Sequence, residues 1–305
     1  MNVFILSGGQ DTGGQGARLA EALRKHGHQA RAMHQTETYL RYPADLRWDE
    51  KEARRLFAEA EVVHLKNGTD LYHRFGGGKP AVVHHHGTRL RTNAAAVDEE
   101  SRAIGAVQLV STIDLLADCT GGRWLPSPFD LDWIRNKYRS SSGGYRILIG
   151  HAPTNRDAKG TATIERVIER LKADYEIDFD LITQVEWKVC LSRKGRCDIF
   201  IDQLTLGYGN NAVEAMALGI PVVSGWAEDE DRERFEQVTG EGPPFLHANS
   251  EESLYLALTR LIESEKERAS WAFGGRAYAE KYHAADRVIE RLIPLYEEAI
   301  EAVMA

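Results

Sequence analysis

The sequence has 305 residues, which is enough for two domains of about 150 residues each. Its 43% hydrophobic and 28% charged residues are usual for a globular chain, and no apolar run approaches the roughly 20 residues that a membrane-spanning helix needs. The net charge of -8 argues against attraction of the whole molecule to nucleic acid, although a local basic patch would escape this argument.

The first half of the chain alternates apolar strand-like segments with helical ones, the pattern of an open parallel sheet. The first strand is predicted at 3–8. The segment GARLAEALRKHG has the apolar spacing of a helix that stops at Gly27, and a strand at 28–34 then completes a βαβ unit. Further strands are predicted at 61–67, 81–86 and 106–111.

A linker is predicted at 137–146, where KYRSSSGGYR has serine and glycine but no apolar periodicity. The alternation of strands and helices then restarts. Strands are predicted at 146–151, 179–183, 198–202, 221–225 and 244–248. Helices are predicted at about 160–174, 186–194, 210–218, 251–264, 266–282 and 285–303.

These elements predict an α/β protein of two Rossmann-like domains that face each other across a cleft. The first domain is expected at 1–140 and the second at 145–284, and a C-terminal helix at about 285–305 is expected to pack back on the first domain. Three cysteines, an odd number without metal-ligand spacing, predict a reduced, cytoplasmic protein. Peripheral contact with a membrane is compatible with the sequence.

The first βα turn, SGGQDTGG at 7–14, is rich in glycine. Gly13 and Gly14 would let the backbone approach a ligand, and the helix that follows offers unpaired N–H groups to an anion. The turn lacks both the dinucleotide spacing G-x-G-x-x-G and the Gly-Lys-Ser/Thr of a P-loop. An anion site and a flexible turn without a ligand are equally compatible with it.

A polar loop after the strand at 146–151 carries Arg156 and Lys159, just before a helix that starts near Thr161. Two cations beside a helix N-terminus, at the carboxyl edge of an α/β sheet, favour a site for a diphosphate. The alternative is a solvated basic loop.

The segment DQLTLGYGNNAVEAMALGIPVV contains a glycine loop, a short helix and a strand. At the start of the helix, Asn210, Asn211 and Ala212 are predicted to present backbone N–H groups to phosphate. Glu214, about one turn in, is predicted to accept hydrogen bonds from ribose hydroxyls. The alternative for Glu214 is a carboxylate that interacts only with the helix dipole.

These segments together resemble a known family. GHAPTNRDAKGT, DIFIDQLTLGYGNNAVEAMALGIPVV and GGRAYAEKYHAADRVIERLIPLY are similar to the retaining nucleotide-sugar glycosyltransferases with the GT-B fold. The resemblance is dense from about 146 to 290 and thinner before it. The family pattern is E-G-F-G-x-x-x-x-E-A-M-A-x-G-x-P-V-V, and the matching residues here are Gly207, Tyr208, Gly209, Glu214, Ala215, Met216, Ala217, Gly219, Pro221, Val222 and Val223.

The resemblance implies roles for several polar residues. Lys159, followed by glycine, corresponds to the phosphate-binding lysine, and His151 stands where the family has an arginine, so Arg156 is expected to substitute for it. His86, also followed by glycine, is expected to lie against the donor sugar, with His84 packing behind it. Because side chains alternate along a strand, the run of histidines at 84–86 does not predict a metal site.

One position departs from the family pattern. The first glutamate of the pair would fall at 206, which is Leu206 here. Asp202, at the carboxyl end of a predicted strand, is the favoured substitute for that carboxylate. The other interpretations are a changed sugar contact and lost activity.

The resemblance implies transfer of a sugar from a UDP- or GDP-type donor, with retention of configuration and without an obligatory metal or cofactor. Arg156 and Lys159 would stabilise the departing diphosphate. Gly13, Gly14 and Gly209 would line the donor site. The alternatives are a sugar-nucleotide epimerase that recruits His84–His86 and Asp202, and a non-catalytic sugar-nucleotide-binding protein.

The acceptor is left open as a glycan, a lipid-linked sugar or a modified base in DNA, and the sequence sets no oligomeric state. The first domain, irregular at 36–57 and 74–80, is expected to bind the acceptor. A solvated surface is the favoured interpretation of the basic residues there. A basic patch is the alternative, formed by Arg41, Arg47, Arg54, Arg55, Arg89 and Arg91.

Overall fold

The computed structural model describes residues 1–140 and 144–304. They form two compact units. The N-terminal unit contains Met1–Phe129 and the segment that begins at His283, and the C-terminal unit contains Asp130–Tyr282. Residues 137 and 138 of the predicted linker end a helix, while residues 141–143 lie outside the described residues.

The N-terminal unit has a parallel sheet in the order β2-β1-β3-β4-β5-β6. Its strands are β1 (Asn2–Gln10), β2 (Gln29–Thr36), β3 (Val62–Lys66), β4 (Ala81–His85), β5 (Val107–Val110) and β6 (Arg123–Trp124). The first five are the predicted ones. The apolar runs of β1, β3, β4 and β5 are buried, whereas the edge strand β2 buries Ala30, Ala32 and Met33. The two residues of β6 are too few to form a pattern.

Helices of the N-terminal unit follow its strands. They are α1 (Gln15–Lys25), α2 (Glu50–Glu59), α3 (Asp70–Arg74), α4 (Thr88–Thr92) and α5 (Ala94–Ala103). The expectation of an irregular segment at 36–57 is wrong for its last part, which α2 occupies. Asp49 caps α2 by accepting a hydrogen bond of 2.7 Å from the Glu52 amide, an N-terminal signal that the sequence carried.

The C-terminal unit has a second sheet, in which β8-β7-β9-β11-β12 run parallel and β10 pairs antiparallel with β11. Its strands are β7 (Ile147–His151), β8 (Ile177–Leu181), β9 (Ile199–Ile201), β10 (Leu206–Gly207), β11 (Val222–Trp226) and β12 (Leu246–His247). The short β10 was not predicted, and β8 begins two residues before the predicted range.

Helices of the C-terminal unit cover this sheet. They are α6 (Leu131–Tyr138), α7 (Thr161–Lys172), α8 (Trp187–Lys194), α9 (Asn210–Ala217), α10 (Asp229–Thr239), α11 (Glu251–Glu263) and α12 (Glu265–Tyr282). The sequence did not reveal α10, because it is rich in charge and Phe235 is its buried residue. An apolar stripe, the main helical signal, is therefore missing.

The last helix, α13 (Ala285–Met304), belongs to the N-terminal unit. Its buried face packs with α1 and with the central strands, through Val288, Ile289, Leu292 and Tyr296. Each helix within 1–140 and 144–304 is too short or too polar to cross a bilayer.

Candidate functional site

Asp202 lies directly after β9, at the carboxyl edge of the C-terminal sheet, and is 2% exposed. Its Oδ2 accepts a 2.6 Å hydrogen bond from the backbone N–H of Gly209, the residue before α9. Its Oδ1 accepts a 3.1 Å bond from Lys159 Nζ. One carboxylate therefore connects the loop after β7 to the N-terminus of α9.

Lys159 is held close to that helix start. Its Nζ also contacts Gln203 Oε1, and its side chain is 16% exposed. An ammonium group has three N–H donors, so one remains after these two contacts. Gly160 has φ 72°, and a Cβ there would lie 3.0 Å from Leu204 Cδ1. The glycine thus lets the loop close with Lys159 at the sheet edge.

The start of α9 differs in one detail from the prediction. The Ala212 N–H donates to the Gly209 carbonyl at 3.0 Å, so this amide is part of the helix and does not face a ligand. Asn211 is fixed by its side chain, because Nδ2 donates to the Ala152 carbonyl at 2.8 Å and Oδ1 accepts from Lys194 Nζ at 2.9 Å. The positive end of the α9 dipole lies at Asn210 and Asn211.

Glu214 lies in a buried network and not at an open surface. Its Oε1 accepts from Trp187 Nε1 and its Oε2 from Lys194 Nζ, both at 2.7 Å. Burial alone would lower the pKa of Lys194, but the Glu214 carboxylate raises it above the usual value, so the pair is ionic. Binding of ribose by Glu214 stays a prediction. The two donors come from α8 and have no sequence pattern that would have revealed them.

The structure corrects the expectation for His151. Its side chain is buried, with Nδ1 bonded to the Ile201 carbonyl and Nε2 to Thr161 Oγ1, both at 2.9 Å. Burial lowers its pKa to about 4, so the ring is neutral. Because both nitrogens are used inside the unit, His151 braces β7, β9 and α7 and cannot act as a donor ligand in place of an arginine.

Arg156 has a carboxylate partner, and its contact with a diphosphate stays a prediction. Its Nη2 donates to both carboxylate oxygens of Glu165, at 2.8 and 2.9 Å, and the side chain is 50% exposed. Among the described residues no hydrogen bond or ion pair joins it to Lys159 or Asp202. The two predicted cations therefore have different surroundings, and only Lys159 lies at the helix start.

Leu206 stands where the family pattern has the first glutamate of the pair. It lies in β10 opposite Trp226. The carboxylate favoured as a substitute, Asp202, uses its oxygens to hold Lys159 and Gly209. Contact between Asp202 and a sugar stays a prediction, whereas its hydrogen bonds with Lys159 and Gly209 are observed.

In the N-terminal unit the glycine turn at 7–14 contains a buried carboxylate, Asp11. The Asp11 carboxylate accepts from the backbone N–H groups of Gly16 at 2.8 Å and Ala17 at 3.1 Å, and pairs with the buried Lys66. Burial alone would raise the pKa of Asp11, but Lys66 and the two amides lower it. These two amides at the start of α1 are thus satisfied by Asp11, which favours the alternative of a turn without an anionic ligand at Gly16 and Ala17.

Gly13 and Gly14 both have positive φ, of 67° and 66°. A Cβ on Gly14 would lie 2.9 Å from Pro43 Cδ and 3.1 Å from Tyr42 Cβ. The loop after β2 therefore fills the space that Gly14 provides. This accounts for Gly14 without a ligand, and contact of the glycines with a diphosphate stays a prediction.

The histidines at the end of β4 point to opposite sides of the sheet. His85 bonds Gln108 Oε1 at 3.1 Å, whereas His84 and His86 lie together with ring centroids 4.2 Å apart. His86 Nε2 is buried and has no hydrogen-bond partner among the described residues. The same residues contain no group of three His, Cys, Asp or Glu side chains arranged to hold a metal ion.

The arginines of the first domain are mostly paired with carboxylates. Arg54 pairs with Glu50, Arg89 with Glu100 and Arg91 with Asp114, and Arg55 pairs with two glutamates. This supports a solvated surface for these four. Arg41 and Arg47 line a cavity of about 480 Å³ at the carboxyl ends of β1 and β2, together with Asp11, His34, Thr36, Glu37, Thr38, Tyr42, Pro43 and Ala44.

Solved structures of three glycosyltransferases are similar over nearly the whole chain. An α-glucosyltransferase with UDP and a 13-mer DNA containing an HMU base has a TM-score of 0.68 at 11% identity, over 97% of this chain and 99% of that one. HepE of Anabaena with UDP has a TM-score of 0.67 at 11% identity, over 98% of this chain and 100% of that one. Sucrose-phosphate synthase of Thermosynechococcus elongatus has a TM-score of 0.64 at 13% identity, over 99% of this chain and 100% of that one.

The chain has the GT-B fold. The prediction of an α/β protein with two Rossmann-like units is thereby confirmed. At identities of 11–13% the likeness establishes the fold alone. No protein-family model matches the sequence, and no curated protein matches it.

Proposed function

We propose that the protein is a glycosyltransferase that takes its sugar from a nucleotide diphosphate donor of the UDP or GDP type. The observation that carries this proposal is the position of Lys159 Nζ, which Asp202 holds beside the first residues of α9. The GT-B fold supports it, since similar structures hold UDP, UDP-glucose or ADP.

The diphosphate would bind between Lys159 and the start of α9. The third N–H of Lys159 and the backbone amides of Asn210 and Asn211 would donate to its oxygens. Asp202 partly offsets the charge of Lys159 but fixes its position, so little reorganisation is needed when charge develops on the leaving phosphate. Stabilisation of that charge is the contribution to catalysis that we assign to this site.

We further propose retention of configuration, with the leaving phosphate helping to deprotonate the acceptor. No metal or cofactor is assigned to this step. His86 would bind a hydroxyl of the transferred sugar through Nε2. Glu214 would accept hydrogen bonds from ribose hydroxyls.

The acceptor would occupy the cavity lined by Arg41 and Arg47. Hydroxyl groups from Thr36, Thr38 and Tyr42 line it too, which suits a polar acceptor such as a glycan or a lipid-linked sugar. A modified DNA base is the second candidate, because one similar enzyme was solved with DNA containing an HMU base. Retention on immobilised DNA that weakens steeply with salt would favour DNA, and the net charge of -8 argues against it.

A thermal-shift screen of the full chain against UDP-, GDP-, ADP- and TDP-sugars tests the donor. A ligand that binds only the folded state raises Tm by mass action. We expect a UDP- or GDP-sugar to give the largest rise. Absence of a rise with all four classes would contradict the proposal.

Product analysis with the donor so identified separates the remaining functions. Free nucleotide together with a new glycoside supports transfer. An isomerised donor would identify an epimerase, and donor binding without turnover across an acceptor panel would identify a sugar-nucleotide-binding protein.

A further inference from the structure

A chain of buried aromatic side chains runs through the N-terminal unit from α13 to the end of β4. Tyr296 OH lies 2.8 Å from His64 Nδ1, and His64 Nε2 lies 3.3 Å from His84 Nδ1. All three residues are at most 1% exposed. The His84 ring packs against His86 in a tilted arrangement, with centroids 4.2 Å apart and ring planes 37° apart.

Burial keeps these rings neutral, and the positive charge of the nearby Lys66 acts in the same direction. Lys66 itself pairs with Asp11. Burial lowers the pKa of His64 to about 3, and burial also holds the pKa of His84 and His86 well below the usual value. A neutral imidazole has one N–H and one acceptor nitrogen, so hydrogen bonds along such a chain must all run in one direction.

Tyr296 sets that direction. His64 Nδ1 is the partner of its hydroxyl within the described part of the chain. Tyr296 donates to His64 Nδ1, because a phenol hydroxyl is a stronger hydrogen-bond donor than a neutral imidazole and an imidazole nitrogen is the stronger acceptor. His64 then has its proton on Nε2 and donates to His84 Nδ1, which leaves the proton of His84 on Nε2, a buried nitrogen without a hydrogen-bond partner in the described part of the chain.

His86 depends on this chain for its orientation. Among the described residues its ring has no hydrogen-bond partner, although its backbone N–H donates to Asn67 Oδ1 at 2.6 Å. The contact with His84 is therefore the one that defines the plane of the His86 ring. Because His64 fixes His84 and Tyr296 in α13 fixes His64, the orientation of His86 depends on α13.

We propose that Tyr296, acting through His64 and His84, is a positioning residue that orients His86 for a hydrogen bond between Nε2 and a hydroxyl of the transferred sugar. The hydrogen bond from His86 to the sugar rests on the proposed function. The tautomers of His64 and His84 do not, because they can be measured in the protein alone.

The test is Tyr296→Phe, which removes one hydroxyl and keeps the ring. Tyr72→Phe is the matched control, since the buried Tyr72 in the same unit donates its hydroxyl to the Lys79 carbonyl at 2.7 Å. Nitrogen-15 chemical shifts of the histidine side chains report the tautomers without any substrate. We expect Nε2–H for His64 and His84 in the wild type and in Tyr72→Phe, and mixed tautomers in Tyr296→Phe.

Kinetics give the second readout. We expect Tyr296→Phe to lower kcat about tenfold, the lower end of the loss seen when a partner that orients a histidine is removed, while the Kd of UDP without sugar stays unchanged. Tyr72→Phe should retain kcat. Wild-type tautomers in Tyr296→Phe, or unchanged kcat where His86→Ala lowers it, would overturn the proposal. If no donor is turned over, the proposed function fails and the tautomers alone decide the positioning.

Discussion

Lys159 and Arg156 lie three residues apart on one loop, yet their neighbours give them different properties. Lys159 is mostly buried against Asp202 and Gln203, whereas Arg156 is half exposed and paired with Glu165. The sequence predicted that both cations precede a helix, because that information is local. It could not predict which one faces α9, since Asp202 is more than 40 residues away in the chain.

Glu214 is a second residue whose contacts could not be predicted from its neighbours in the sequence. Its motif is readable in the sequence, but its partners Trp187 and Lys194 are 27 and 20 residues away and come from a different helix. The local spacing therefore could not show that Glu214 belongs to a buried ion pair on which the stability of the fold depends.

Glu214→Gln should destabilise the protein by about 3–5 kcal/mol, because it leaves Lys194 charged and buried without a counter-ion. The free energy of unfolding from urea titration measures this. The double variant Glu214→Gln/Lys194→Met is the control and should recover most of the loss. A single variant that costs less than about 1 kcal/mol, the range of an exposed ion pair, would contradict a buried pair.

At the scale of elements, the long strands and amphipathic helices were predictable because burial leaves an apolar pattern in adjacent residues. The two-residue strands β6 and β10 were not, since their pairing depends on distant partners. The glycine content of the turn before α1 was readable in the sequence, but its packing was not. Tyr42 and Pro43, from the loop after β2, fill the space at Gly14.

Gly14→Ala should therefore destabilise the fold more than Gly27→Ala. Both positions have positive φ, 66° and 80°, but a Cβ at Gly27 has no heavy atom within 4 Å. Gly27→Ala should cost about 1–2 kcal/mol from backbone strain, and Gly14→Ala should add about 1–3 kcal/mol from overpacking against Pro43. Equal losses of unfolding free energy in the two variants would show that Pro43 does not restrict this site.

For the whole molecule, buried neutral histidines make stability depend on pH. The pKa is lowered by burial to about 4 for His151 and His283 and to about 3 for His64, from an ordinary 6.5. The unfolded chain thus binds more protons below pH 6.5. The stabilisation is complete above pH 6.5 and is lost progressively as pH falls towards these folded-state values.

Urea unfolding at pH 7, 6 and 5 should show this loss as a free energy of unfolding that falls by a few kcal/mol, since one pKa unit corresponds to about 1.4 kcal/mol per group. His151→Gln is the control and should show a shallower dependence on pH, because one titrating group is removed. Stability that is constant, or that rises towards pH 5, would contradict neutral buried histidines.

The central claim is that the diphosphate of the donor binds at Lys159 and the start of α9. Calorimetric titration of UDP into the full chain, its Lys159→Ala variant and its Arg156→Ala variant tests it most directly. We predict that Lys159→Ala raises Kd by about tenfold or more, the loss of a hydrogen bond to a charged group, and that Arg156→Ala changes Kd less than about twofold because solvent screens an exposed pair. Unchanged affinity in Lys159→Ala, or an equal loss in both variants, would contradict the account.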